Sequence, residues 1–171
     1  VWQHELADVL RLPDDELQGL FLHGLHAARS ARKELKDGRF AGLAAGVGYA
    51  MPPRTYYRDG YWTLQSLLPT WPEVAREQLL LLAREVTADG EAPSGVIVAS
   101  AAGERHWRAR RDADPALAAD HPRDGIWWAD HTDAPLFFAL LACEAAAWTG
   151  DPGLWATEVD GVTIGARVAA A

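Results

Sequence analysis

Sulfur is scarce in this chain: among 171 residues there is one cysteine and one methionine. A lone thiol cannot close an intrachain disulfide, so the fold has to hold by packing alone. The position of Cys143 in an apolar helical stretch predicts a buried, inert thiol. Basic residues are also few. Sixteen Lys and Arg stand against 24 Asp and Glu, a formal net charge of −8. That balance argues against nucleic acid or an anionic membrane surface as partner, because both select a basic face. The cluster Arg108, Arg110, Arg111 is too short to reverse it. No apolar run reaches the roughly 20 residues of a membrane span. The longest, Ala134 to Trp148, is interrupted by Glu144.

Other signatures are missing as well. The opening VWQHELADVL has no basic region, apolar middle or cleavage site of a secretory signal, which points to the cytoplasm. It also has no initiating Met, so the chain reads as a piece of something longer. Gly38, Gly42, Gly46 and Gly48 fit neither GxGxxG nor the P-loop, and Ser94-Gly95 lacks the setting of a nucleophile elbow. His4, His23 and His26 have no cysteine or carboxylate to complete a metal site. Asp130, His131 and Asp133, with His121, offer donors to a cation, but structural roles account for them more simply. Neither a metal nor a cofactor is expected.

What remains is a folded domain with an excess of tryptophan. A chain of this length buries roughly 70% of the surface it exposes when unfolded. With 49% hydrophobic and 23% charged residues, it has the composition of a globular protein. Eight tryptophans favour a ligand cleft or a tight helical interface, since the indole is kept where both its face and its N–H find partners.

The densest chemistry lies in PPRTYYRDGYW, Pro52 to Trp62. Arg54, Arg58, Asp59, Tyr56, Tyr57, Tyr61 and Trp62 together suit a sugar. Guanidinium and carboxylate groups each hold two vicinal hydroxyls, while aromatic faces cover the apolar face of a pyranose. A second such stretch, Trp127-Trp128-Ala129-Asp130-His131-Thr132-Asp133, also stands just before an apolar helix. Asp59 and Asp133 would serve there as helix caps. Caps need no escort of tryptophans, histidine and arginines, and the escort favours a binding site on one rim.

Helical spacing organises the rest. A helix runs from Pro13 through Leu35 and is stopped by Gly38. A second, capped by Asp59, carries Tyr61, Trp62, Leu64, Leu67 and Leu68 and ends by Pro69. A third begins at Pro72 and closes at Asp89-Gly90. Residues 90 to 132 read as a long excursion with at most a small hairpin. A strong helix follows, capped by Thr132 or Asp133 and ended by Gly150, and a weaker one comes after Pro152.

PPRTYYRDGYWTLQSLL, DGEAPSGVI and DGIWWADHTDAPLFFALLACEAAAWTGD together resemble the six-hairpin (α/α)6-toroid glycoside hydrolases. This is the group of glucoamylases, processing α-glucosidases and the amylo-α-1,6-glucosidase part of glycogen debranching enzymes. The resemblance covers most of residues 50 to 151. It implies that Arg58 and Asp59 grip hydroxyls of the sugar in the cleavage subsite. It further implies Asp133 as general acid, with Asp130 the second choice, and an oligosaccharide as substrate. Such hydrolysis needs two carboxylates, one to protonate the leaving oxygen and one to activate water or attack carbon.

The expectation is therefore an all-α single domain over residues 1–171. It consists of antiparallel helical hairpins belonging to part of a toroid, with long loops on one rim. Asp133 and Asp130 are the candidate catalytic residues. Arg54, Tyr57, Arg58, Asp59, Trp62, Trp127, Trp128 and His131 are the candidate substrate contacts. An open portion of a toroid leaves apolar helix faces bare, which predicts self-association or a companion segment.

Overall fold

The computed structural model of the protein describes residues 11–45, 54–98, 101–120 and 132–171. Helix α1 (Asp15–Ser30) begins where Asp14, in extended backbone, accepts hydrogen bonds from the N–H groups of Glu16 and Leu17. Asp15 and Glu16 in its first turn and Arg29 in its last complement the helix dipole. The expected continuation to Leu35 is not helical. Residues Arg32–Glu34 form strand β1, antiparallel to β2 (Phe40–Leu43). Gly38, at φ +82°, permits the turn between them. Pairing carries Leu43 into the core with no exposed surface, and that burial outweighs another turn of a solvent-facing helix.

Strand β3 (Arg54–Tyr56) pairs antiparallel with β4 (Gly95–Ile97). It runs directly into helix α2 (Tyr57–Gln65), whose N-cap is Tyr56 and not Asp59. Asp59 therefore sits inside the first turn. Helix α3 (Glu73–Ala83) follows Pro72. The excursion after Gly90 is more ordered than its composition suggests, for it holds α4 (Ala101–Ala113) and α5 (Pro115–Asp120). Their sequence lacks an apolar stripe, and Arg105, His106, Arg108 and Arg110 of α4 are exposed, so the periodic signal is weak.

Helix α6 (Ala134–Thr149) ends on Gly150 in the left-handed conformation, φ +63°. A 3₁₀ turn (Pro152–Ala156) leads to β5 (Glu158–Val159) and β6 (Val162–Thr163), and α7 (Ile164–Ala170) follows. The β5–β6 hairpin turns through Asp160 and Gly161 at φ 51° and 77°, the two-residue geometry that matches strand twist.

The fold is thus mostly helical, but its described residues carry three two-stranded antiparallel pairs, more than the single small hairpin expected. The core lies where α2, α3 and α6 meet. Tyr57, Leu64, Leu79, Leu82, Phe138 and Leu141 have no exposed surface there. The Tyr57 and Phe138 rings meet edge to face at 6.4 Å, a favoured aromatic arrangement. One polar knot pins the strands to this core. Buried Gln78 accepts from the Leu43 N–H at 3.1 Å and donates to Thr55 Oγ1 at 2.7 Å, while Thr55 Oγ1 donates to the Leu43 carbonyl. At the far end, buried Arg167 donates to the carbonyls of Val86 and Val159.

Helix α6 is apolar around most of its surface, with Glu144 its one charged residue. Phe138, Leu141, Ala142 and Ala145 face inward, whereas Leu136, Leu140 and Trp148 are exposed. Cys143 shares the outward side, which corrects the expectation of a buried thiol. A helix with no polar face does not disclose its inner side to a periodicity argument. Among the described residues no helix is long and apolar enough to cross a membrane.

Candidate functional site

Because β3 enters α2 with no intervening loop, Arg58 and Asp59 lie in the helix's first turn, where unpaired backbone N–H groups and the dipole favour a carboxylate. The entry is fixed by the strand pair, since the Tyr57 N–H donates to the carbonyl of Ser94 at 3.3 Å. On the other side, α6 packs against α2 and brings its own start alongside. Asp133 precedes that helix and makes no side-chain cap bond, contrary to the capping expectation. Its Oδ2 instead accepts from Arg58 Nη1 at 2.8 Å, across 75 residues of chain.

Arg58, Asp59 and Asp133 line a cavity of about 260 Å³ together with Ala45, Tyr56, Ser94 and Ala134. The cavity opens to solvent: the Arg58 and Asp133 side chains are 50% and 34% exposed. Two acidic groups outnumber one guanidinium, so the site does not suit an anion. It suits a polyol, whose hydroxyls donate to carboxylate oxygens and accept from the guanidinium's remaining N–H groups. Among the described residues no group of three His, Cys, Asp or Glu is arranged to hold a metal ion.

Two expected contacts lie elsewhere. Tyr57 is a core residue with no exposed surface, and its hydroxyl donates to the Leu82 carbonyl at 2.8 Å. Burial drives its pKa well above the ordinary tyrosine value, and a side chain with no exposed surface is not a sugar contact. The first helical position of α2 points toward α3, and its next neighbour points away, a distinction that only the helix boundary decides. Trp62 is 61% exposed and stands against Tyr61 and Phe137, with ring centroids 5.3 and 6.3 Å away. It is not among the residues lining the cavity. On the same side, burial followed by the Glu144 charge raises the pKa of Tyr61.

Arg54 pairs through its backbone with Ile97. Asp130, Trp127, Trp128 and His131 lie outside the described residues. Tyr56 and Ser94 are two wall residues that sequence reasoning did not select. The signal for Tyr56 was present in the same aromatic run, but Ser94 had been weighed only as a nucleophile. Its place comes from the β3–β4 pairing, which no local pattern encodes.

Comparison with family models, with curated proteins and with solved structures finds no match for this chain.

Proposed function

We propose that this cavity grips a hexose unit of an oligosaccharide, and that the chain is the sugar-holding portion of a glycoside hydrolase of the six-hairpin α/α-toroid type. The observation that carries the reading is the convergence of Arg58 and Asp59 from one helix start with Asp133 from another, in a cavity open to solvent. In this reading, Arg58 and Asp59 hold vicinal hydroxyls through paired, charge-assisted hydrogen bonds. Asp133 acts as general acid toward the glycosidic oxygen. Its Oδ2 accepts from Arg58, so the guanidinium orients the carboxyl and leaves Oδ1 as the oxygen that faces the substrate. A second carboxylate activates water or attacks the anomeric carbon, with Asp130 the candidate outside the described residues. The helical pairing of α2 with α3, and the placing of the cavity at the starts of α2 and α6, support a toroid rim. Activity belongs in the cytoplasm in this reading.

Calorimetric titration with glucose, maltose, isomaltose and mannose, beside release from the matching nitrophenyl glycosides, tests it. Asp59→Asn is expected to weaken sugar binding at least tenfold. Asp133→Asn is expected to abolish release while leaving binding within a few-fold. Sugar binding unaffected by Asp59→Asn would refute the site.

A second reading, in which the chain binds sugar without hydrolysing it and assembles with another copy, is favoured by the outward Leu136, Leu140 and Trp148 of α6. Large apolar side chains exposed on one helix are the raw material of interaction surfaces. Binding without Asp133-dependent release, with a sedimentation coefficient that rises with concentration, would select it.

A further inference from the structure

A larger cavity, about 400 Å³, lies between α1, the β1–β2 hairpin and the second half of α2. Its floor is made by Gly24, Ala27, Ala28 and Ala31. These positions recur at helical spacing on α1, so one face of that helix has no side chain large enough to fill the space. Its polar wall is Ser30, Lys33, Thr63 and Ser66. Ala45 lines this cavity and the Arg58–Asp59–Asp133 cavity alike, so the two adjoin at that residue.

Helix α2 joins the two in a second way. Asp59 lines the first cavity, and Thr63 and Ser66 line the second. Those three residues follow the i, i+4, i+7 rule for one helix face. At about 1.5 Å rise per residue, that face runs roughly 10 Å from the carboxylate to the last hydroxyl.

We infer that the second cavity is the adjoining subsite for the same ligand, holding the next sugar unit of an oligosaccharide whose first unit lies against Arg58 and Asp59; this rests on the sugar reading of the first cavity. The donor and acceptor inventory fits. Lys33 Nζ spends one proton on the Ser30 carbonyl and Ser30 Oγ donates to the His26 carbonyl, which leaves two ammonium protons and the Ser30 lone pairs for a ligand. The Thr63 and Ser66 hydroxyls hold no side-chain hydrogen bond among the described residues. Neutral hydroxyls with one ammonium suit alcohol groups, whereas a phosphate would call for more cations. The alanine methyls give the C–H face of a pyranose an apolar floor. The pair of cavities therefore selects ligands of two or more units over monosaccharides.

Gly24 provides the test, because a Cβ added there meets nothing within 4 Å. Gly24→Phe has open space for its Cβ, starts its ring from a residue that lines the second cavity, and adds helix propensity. Calorimetry with glucose, maltose, isomaltose and maltotriose is run on the parent protein, Gly24→Phe, Thr63→Val and Asp59→Asn, each first checked by circular dichroism. In the parent, at least one of the disaccharides or the trisaccharide is expected to bind tenfold or more tightly than glucose. Gly24→Phe is expected to erase that advantage while glucose affinity stays the same. Thr63→Val is expected to reduce it several-fold, which serves if the phenylalanine variant is poorly folded. Equal affinities in the parent, or an advantage that survives both variants, would overturn the second subsite and leave the first standing. Glucose binding that is absent, or indifferent to Asp59→Asn, overturns the first cavity's reading and the second with it.

Discussion

Tyr57 and Arg58 are consecutive residues with opposite environments. Tyr57 is sealed between α3 and α6, its hydroxyl bonded to a backbone carbonyl and its ring against Phe138. Arg58 is half exposed and reaches across a cavity mouth to Asp133. The same division runs through the whole motif. Tyr57, Gly60, Tyr61 and Leu64 face the core, and Arg58 and Asp59 face the cavity. Stability and recognition are therefore written into alternate faces of one short helix, and substitutions on the two faces should separate cleanly in what they disturb.

The largest effect is expected in the core. Phe138→Ala removes a ring with no exposed surface and should cost about 3–5 kcal/mol, seen as a lowered urea midpoint. If sugar binding in the folded fraction were lost as well, the two faces would not be independent. Gln78→Leu comes next. It leaves the buried Leu43 N–H without its acceptor, at about 1–3 kcal/mol, while Thr55 Oγ1 loses its donor but keeps its bond to the Leu43 carbonyl. Gly60 lies against this knot, since a Cβ there would approach Gln78 Nε2 to 2.7 Å. Gly60→Ala is thus expected to destabilise despite the better helix propensity of alanine.

Tyr57→Phe should cost less, about 0.5–1.5 kcal/mol, because the Leu82 carbonyl keeps the Glu85 N–H at 3.1 Å. It should also change the alkaline limb. The folded-state pKa of Tyr57 is raised by burial above its ordinary value of 10.0. Below that value both states hold the proton and its contribution is whole. Above it the unfolded chain loses the proton first, so stability falls as pH rises. Thermal melts from pH 8 to 11 should show a shallower decline in the phenylalanine variant. Smallest on stability is Arg58→Gln, which breaks an exposed ion pair worth about 0–1 kcal/mol. Its sugar affinity should nevertheless drop tenfold or more, a pairing of effects that Phe138→Ala should reverse.

The readable parts of this fold are those with one strong local signal. Gly150 ends α6 as expected, because left-handed backbone leaves few alternatives; Pro72 marks the start of α3 but stands just outside it, and the helix stops at Ala83, short of the expected Asp89-Gly90. Arg58, Asp59 and Asp133 could be matched because each stands at the start of an apolar helix. Tyr57 was misassigned since one residue of helix register exchanges core for cavity. Strand β1 was hidden inside a helical pattern because its partner, β2, decides its state. The α4 and α5 helices lack the apolar period on which such reading depends. Cys143 failed on the opposite ground: α6 is apolar around most of its surface, so its sequence does not say which side is covered.

The 75 residues between Arg58 and Asp133 also bear on folding order. Closing that loop depends on the packing of α2 against α6, so the cavity forms only with the core itself. No partly folded chain that lacks the α2–α6 contact carries the binding geometry. A ligand held there then stabilises the complete structure alone, and ligand-induced thermal shifts report global unfolding and not local fraying.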